Sequence, residues 1–163
     1  MEKIIFDFIN DILKNSSAQL MVPFQQRAKF EGWLKIELAA KLYGKFSDTT
    51  LEYSYPHNKF SHAAIFSDSY YIELKTSDTD CAYNNCVPGR KRFSNNVSAI
   101  LNDINKLCTH RYKGIIAFVL FPWDKKCKPN ISRIRTRISK IPKIAIKEGA
   151  SSTPGYYIFV AKV

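Results

Sequence analysis

No run of about 18 apolar residues occurs in the chain, which excludes a membrane-spanning helix. The opening stretch, MEKIIFDFINDIL, mixes acids with its apolar residues and lacks the basic segment and small-residue cleavage site of a secretory signal, so a cytoplasmic location is expected. Internal repeats, low-complexity tracts and linker-like stretches are also missing, and residues 1–163 are read as one domain. The four cysteines, Cys81, Cys86, Cys108 and Cys127, lack the tight paired gaps of a ribbon-type zinc site. Zinc held by Cys81 and Cys86 with Cys108, His110 or Cys127 stays open, but the spacing favours free thiols in a reducing compartment. Acids are scarce as well. Fourteen Asp plus Glu stand against 25 Lys plus Arg, a formal charge of +11. Such a field favours a polyanionic partner such as nucleic acid, although an anionic surface or an acidic protein would feel it too.

What is present reads as alternating helical and extended periods. Ile4, Ile5, Phe8, Ile9, Ile12 and Leu13 recur at helical spacing and predict a helix over 2–14. A second helix is expected after Pro23, running through QQRAKFEGWLKIELAAKLYG and stopping at Gly44. LEYSYP, HAAIF and YYIELKTS then read as a meander of strands, with SDS as the turn between the last two. TSDTDCAYNNCVPGRKR has no period and is read as a long loop, a common home for function in a small domain. Val97, Ile100, Leu101, Ile104 and Leu107 predict a further helix, capped by Ser94 or Asn95. IIAFVLF is continuously apolar, as a strand covered on both faces should be. NISRIRTRISKIP fits either period; the helical reading, ended near Pro142, puts Arg133, Arg137 and Lys140 on one face. GYYIFVAKV is the last strand. The sum is an α/β or α+β sandwich.

Chemistry enters at Glu73 and Lys75 of YYIELKTS. Period-two geometry sends both to one face of the strand, about 6–7 Å apart. A carboxylate there can hold a hard divalent cation, and the lysine can orient water or stabilise charge on a phosphate. The bland alternative is a solvated ion pair. Glu37 falls on the wheel inside the arc of Phe30, Trp33, Leu34, Leu38 and Ala40, so it is expected to point inward and to need a metal or a basic partner such as Lys41. If the SDS turn pairs Ile65 with Ile72, then Ala64 opposes Glu73, His62 opposes Lys75, and His62 joins the Glu73 face. Asp68, in the turn, is a further acid, with backbone capping as its ordinary role.

FEGWLKIELAAKL, the hairpin and IELKT, followed by NNVSAILNDINKL and GIIAFVLFP, resemble the PD-(D/E)XK nuclease superfamily over residues 25–121. The resemblance implies an α/β, restriction-endonuclease-like fold, with a central mixed β-sheet flanked by helices. It further implies Mg²⁺- or Mn²⁺-dependent cleavage of phosphodiester bonds, DNA favoured over RNA, by a chain that could pair as a homodimer. Glu73 would match the metal-binding acid, Lys75 the catalytic lysine, the Leu74 carbonyl a backbone metal ligand and Glu37 the helix carboxylate. The chain departs from the pattern at the first acid, where an aspartate is usual and His62 stands. Imidazole suits Mn²⁺ better than Mg²⁺. Three outcomes stay open: His62 ligates manganese, Asp68 replaces the missing acid, or the site is dead and the domain keeps only the binding of nucleic acid or of a protein partner. The basic residues serve either case. Arg90, Lys91 and Arg92 follow the E-x-K strand, and Lys125, Lys126, Arg133, Arg135, Arg137 and Lys140 gather toward the C-terminus, interleaved with Tyr83, Phe93 and Trp123 for contacts to phosphates and bases.

Overall fold

The computed structural model describes residues 1–56, 58–79, 93–109, 113–123, 131–132, 134–136, 145–152 and 155–163. The chain opens with three helices, α1 (Glu2–Asn15), α2 (Ser17–Gln26) and α3 (Glu31–Tyr43). Strands β1 (Thr50–Tyr55), β2 (Asn58–Ser67) and β3 (Tyr70–Asp78) follow, then helix α4 (Phe93–Thr109) and strands β4 (Gly114–Phe121), β5 (Ala145–Ser152) and β6 (Gly155–Lys162). The six strands form one mixed sheet in the order β1-β2-β3-β4-β6-β5. Only β3 and β4 run parallel, joined across α4 as a parallel pair must be by a long crossover.

β4 shows how the layers arise. Its eight residues are all buried, and their alternation splits them between two cores. Ile115, Ala117, Val119 and Phe121 pack with α1, α2 and α3 through Ile5, Ile9, Leu20, Leu34 and Leu38. Ile116, Phe118 and Leu120 pack with α4 through Val97, Ile100 and Ile104, and with Ile131 and Ile134 beside them. A strand covered on both faces cannot spend a position on a polar residue, which is why the run was legible as central.

Four expectations change. The second predicted helix, expected to start after Pro23, takes in only the end of α2, which begins at Ser17, and then all of α3. Pro23 lies inside α2, which ends at Arg27 in the left-handed conformation (φ 52°), and α3 begins afresh at Glu31. Gly44 caps α3 in the right-handed region and does not provide the left-handed turn a C′ glycine usually supplies. α4 starts at Phe93, so Ser94 and Asn95 fall within its first turn and not at the cap. β5 was not foreseen, because its AIKEGASS is poor in β-branched and aromatic residues; eight cross-strand pairs with β6 hold it in place instead. Residues 131–132 and 134–136 are helical, as expected. The turn between β2 and β3 is the expected one: Asp68 (φ 50°) and Ser69 (φ 66°) form a two-residue loop of the mirror-image type that matches strand twist. Among the described residues, no helix is long and apolar enough to cross a membrane.

Candidate functional site

The β2–β3 ladder begins as the turn dictates, with Ser67 opposite Tyr70, Phe66 opposite Tyr71 and Ile65 opposite Ile72. It ends there. Beyond Ile72, β3 continues for six residues against β4 alone, while β2 stays with β1 and pairs His62 with Ser54. This divergence corrects the extrapolated register: His62 does not oppose Lys75, and its side chain is exposed. Asp68 is exposed too, and its backbone N–H donates to Asp48 Oδ1 at 2.9 Å, a turn contact. No described hydrogen bond or ion pair joins either residue to Glu73.

The divergence opens one edge of β3 next to its two charges. Glu73 pairs with Ile116 and Lys75 with Phe118, so both side chains stand on the α4 face of the sheet. Glu73 is 5% exposed. A buried carboxylate needs partners, and it has two: Tyr55 Oη donates to Oε1 at 2.6 Å, and Lys106 Nζ from α4 lies 3.2 Å from the same oxygen. That lysine also sits 4.2 Å above the centre of the Tyr55 ring. Lys75 lies between two other acids, Asp103 of α4 at 3.6 Å and Glu31 of α3 at 3.9 Å. Glu31 belongs to the opposite helical layer and reaches Lys75 around the unfilled edge. There it also accepts the Thr76 backbone N–H at 3.1 Å. By strand alternation the Leu74 carbonyl points to the same edge as the Thr76 N–H.

Burial pulls the Lys75 ammonium down, but the carboxylates of Asp103, Glu31 and Glu73 outweigh it and hold its pKa above the usual lysine value. Lys75 is therefore a committed cation at neutral pH. It can stabilise a phosphate or orient a water molecule, and it is a poor proton acceptor.

Glu37 does not take part. Its side chain is exposed, and Glu31 is the α3 carboxylate that enters the site. The wheel explains the exchange. The buried stripe of α3 runs from Leu34 through Leu38 and Leu42 to Ala39, an arc of about 140°; Glu31 falls near its middle and Glu37 about 60° outside it. Half-buried Trp33 had widened the expected arc in the wrong direction. Asp103 and Lys106 carried no distinguishing signal, because each flanks the buried stripe of α4 as an ordinary surface charge would.

No protein-family model matches the chain, and neither does any curated protein or solved structure. The site therefore rests on its own chemistry. Glu73, Glu31, Asp103 and the Leu74 carbonyl are hard oxygen donors of the kind that suit Mg²⁺ or Mn²⁺, and Asp103 Oδ2 is buried without a hydrogen bond. They are not gathered for an ion. Among the described residues, no three His, Cys, Asp or Glu side chains stand close enough to share one. Glu73 is committed to Tyr55 and Lys106, and the residues as placed do not form an ion site.

Arg90, Lys91, Arg92, Lys125, Lys126, Arg133, Arg137 and Lys140 lie outside the described residues, as do Tyr83, Cys81, Cys86, His110 and Cys127. Cys108 is exposed and free. Arg135 is held by Glu148 at 2.5 Å and donates to Tyr157 Oη at 3.1 Å.

Proposed function

We propose that the chain is a nuclease of the restriction-endonuclease-like class, hydrolysing phosphodiester bonds in nucleic acid, DNA in preference to RNA, with Mg²⁺ or Mn²⁺. One observation carries the reading: Lys75 is kept as a cation between acids from both helical layers, at a sheet edge left open where two strands part. The order of elements from α3 to β4, namely a helix, an antiparallel meander ending in the E-x-K strand, a helix and a parallel strand, supports it. So does the charge of +11.

In this reading Lys75 faces the scissile phosphate and stabilises the charge that builds on it, a contribution worth about 10²–10³ in rate for a well-placed donor. Glu31 and Asp103 hold the ammonium in place, Asp103 through Oδ2. Glu73, Glu31 and the Leu74 carbonyl are the donors that would have to come together to hold the ion, which when bound would supply a polarised phosphate oxygen and a water of lowered pKa.

A second reading is favoured by a separate observation: Lys106 sits on Glu73, and His62, at the place of the expected first acid, lies exposed on the β1 side. A domain so arranged would bind nucleic acid without cleaving it. Plasmid nicking separates the two. Wild type in Mg²⁺ or Mn²⁺ should nick DNA and Lys75→Ala should not. Salt-sensitive binding with no nicking in either metal sinks the nuclease and leaves the binding domain.

A further inference from the structure

On the same face of the sheet, past the end of β4, lies a pocket of about 340 Å³ lined by Trp123, Ile131, Ser132, Arg135 and Tyr157. Its volume is within the range of small-molecule sites. Two walls are aromatic, Trp123 and Tyr157, with ring centres 5.5 Å apart and planes inclined at 49°. A third is the Arg135 guanidinium, pinned by both oxygens of Glu148 and by Tyr157 Oη, while Tyr157 itself donates to Glu148 at 2.7 Å. The pairing matters for specificity. With its charge already met by Glu148, Arg135 offers a fixed planar surface rather than an unpaired cation, so the pocket selects a neutral flat ring over a free phosphate. Ser132, exposed at the wall, adds a hydroxyl that can either donate or accept.

Position ties this pocket to the site. Tyr157 pairs with Leu120, two residues beyond the Phe118 that pairs with Lys75. Two strand spacings and two residues of rise put it about 12 Å from Lys75 along one face. Helix α4 packs over the buried Phe118 and Phe159 that lie between Lys75 and the pocket, so a single strand touching both would run over α4.

We infer that this pocket takes an unpaired nucleobase, laid against the Arg135 guanidinium beside Trp123 and Tyr157, and that the substrate class is nucleic acid with exposed, unstacked bases. The inference rests on nucleic acid being the partner, as in the proposed function, and does not depend on cleavage. A base inside a duplex could not enter, because its faces are taken by its neighbours.

The test is a binding titration with chelator present, so that nothing is cut, in a Trp33→Phe background where Trp123 is the remaining indole. The probes are a single-stranded oligonucleotide, the same strand annealed, a strand of equal length without bases, and free adenosine. The single strand should quench Trp123 and bind roughly tenfold to a hundredfold more tightly than the abasic strand, the range for one stacked base. Ser132→Leu, a change at an exposed position that fills the pocket, should erase that advantage while leaving abasic binding and melting temperature unchanged. Quenching by adenosine alone would make a free nucleotide a second source of the base; its absence would mean that the base is held only as part of a strand. Equal affinity for abasic and normal strands, or an advantage that survives Ser132→Leu, overturns the pocket. Nicking measured separately keeps the ideas apart: cleavage without base preference removes the pocket alone, and base preference without cleavage removes the nuclease alone.

Discussion

Two ion-pair arrangements stand three residues apart along β3, on opposite faces of the sheet, and they are built to different standards. At the far end Arg27, its side chain 4% exposed, bonds Asp78 at 2.5 Å and also donates to the Thr79 carbonyl, while Thr79 Oγ1 donates to Pro122. Every group there closes on a partner, which is what a buried charge requires. Nearer the middle Lys75, 33% exposed, has its acids at 3.6 and 3.9 Å, beyond good hydrogen-bond length, and one oxygen of Asp103 has no hydrogen bond. The first arrangement ties α2 to the sheet. The second is a looser cluster, in which one partly exposed ammonium is shared between two acids beyond good hydrogen-bond length.

The largest effect expected from breaking this contrast is on stability. Arg27→Ala strands Asp78 and a buried carbonyl and should cost about 3–5 kcal/mol, read as a shift of the urea midpoint. A loss under about 1 kcal/mol would mean that the clamp is no tighter than a surface pair. Lys75→Ala should do the reverse: stability within about 1 kcal/mol of wild type, as for a partly exposed pair, and nicking reduced by about a hundredfold or more. Should Lys75→Ala unfold the protein as Arg27→Ala does, the two arrangements would be one structural network and the contrast would fall.

How far the sequence foretold this edge can be traced residue by residue. The period-two alternation of YYIELKTS was enough to put Glu73 and Lys75 on one face, and the Asp68–Ser69 turn was enough to set Ile65 opposite Ile72. Local rules end there. That β2 would leave β3 after three pairs depends on the pull of β1, a non-local choice invisible in either strand, and it carried His62 away from the site. β5 was hidden because its stability comes from β6 and not from its own residues. Glu31 is a different case, since the leucine stripe of α3 already pointed to it and one half-buried tryptophan obscured the signal.

The two glutamates of α3 therefore offer an internal control. Glu31→Ala removes the acceptor for the Thr76 N–H and a carboxylate facing Lys75, and should cost about 1 kcal/mol along with a drop in nicking. Glu37→Ala alters an exposed helix position and should stay within about 0.5 kcal/mol with activity intact. Parallel losses in both variants, in paired unfolding and nicking assays, would return Glu37 to the site.

The smallest expected effect sharpens the comparison from the other end of the face, where Tyr157 is bonded as fully as Arg27. Burial, reinforced by its bond to Glu148, pushes the Tyr157 hydroxyl up to about 12. An unfolded tyrosine ionises near 10. Below about pH 10 both states keep the proton and the contribution of Tyr157 is fully present. Between about 10 and 12 the unfolded chain has released a proton that the folded chain still holds, so stability falls as pH rises. Tyr157→Phe has no such proton, and over that window its stability should decline less steeply than that of wild type, other titrating groups being common to both. Urea midpoints for the two proteins at about pH 9 and about pH 11 decide the matter. Equal declines would mean that Tyr157 ionises in the folded protein as freely as in the unfolded one, and the Arg135–Glu148–Tyr157 wall would lose its claim to be fixed.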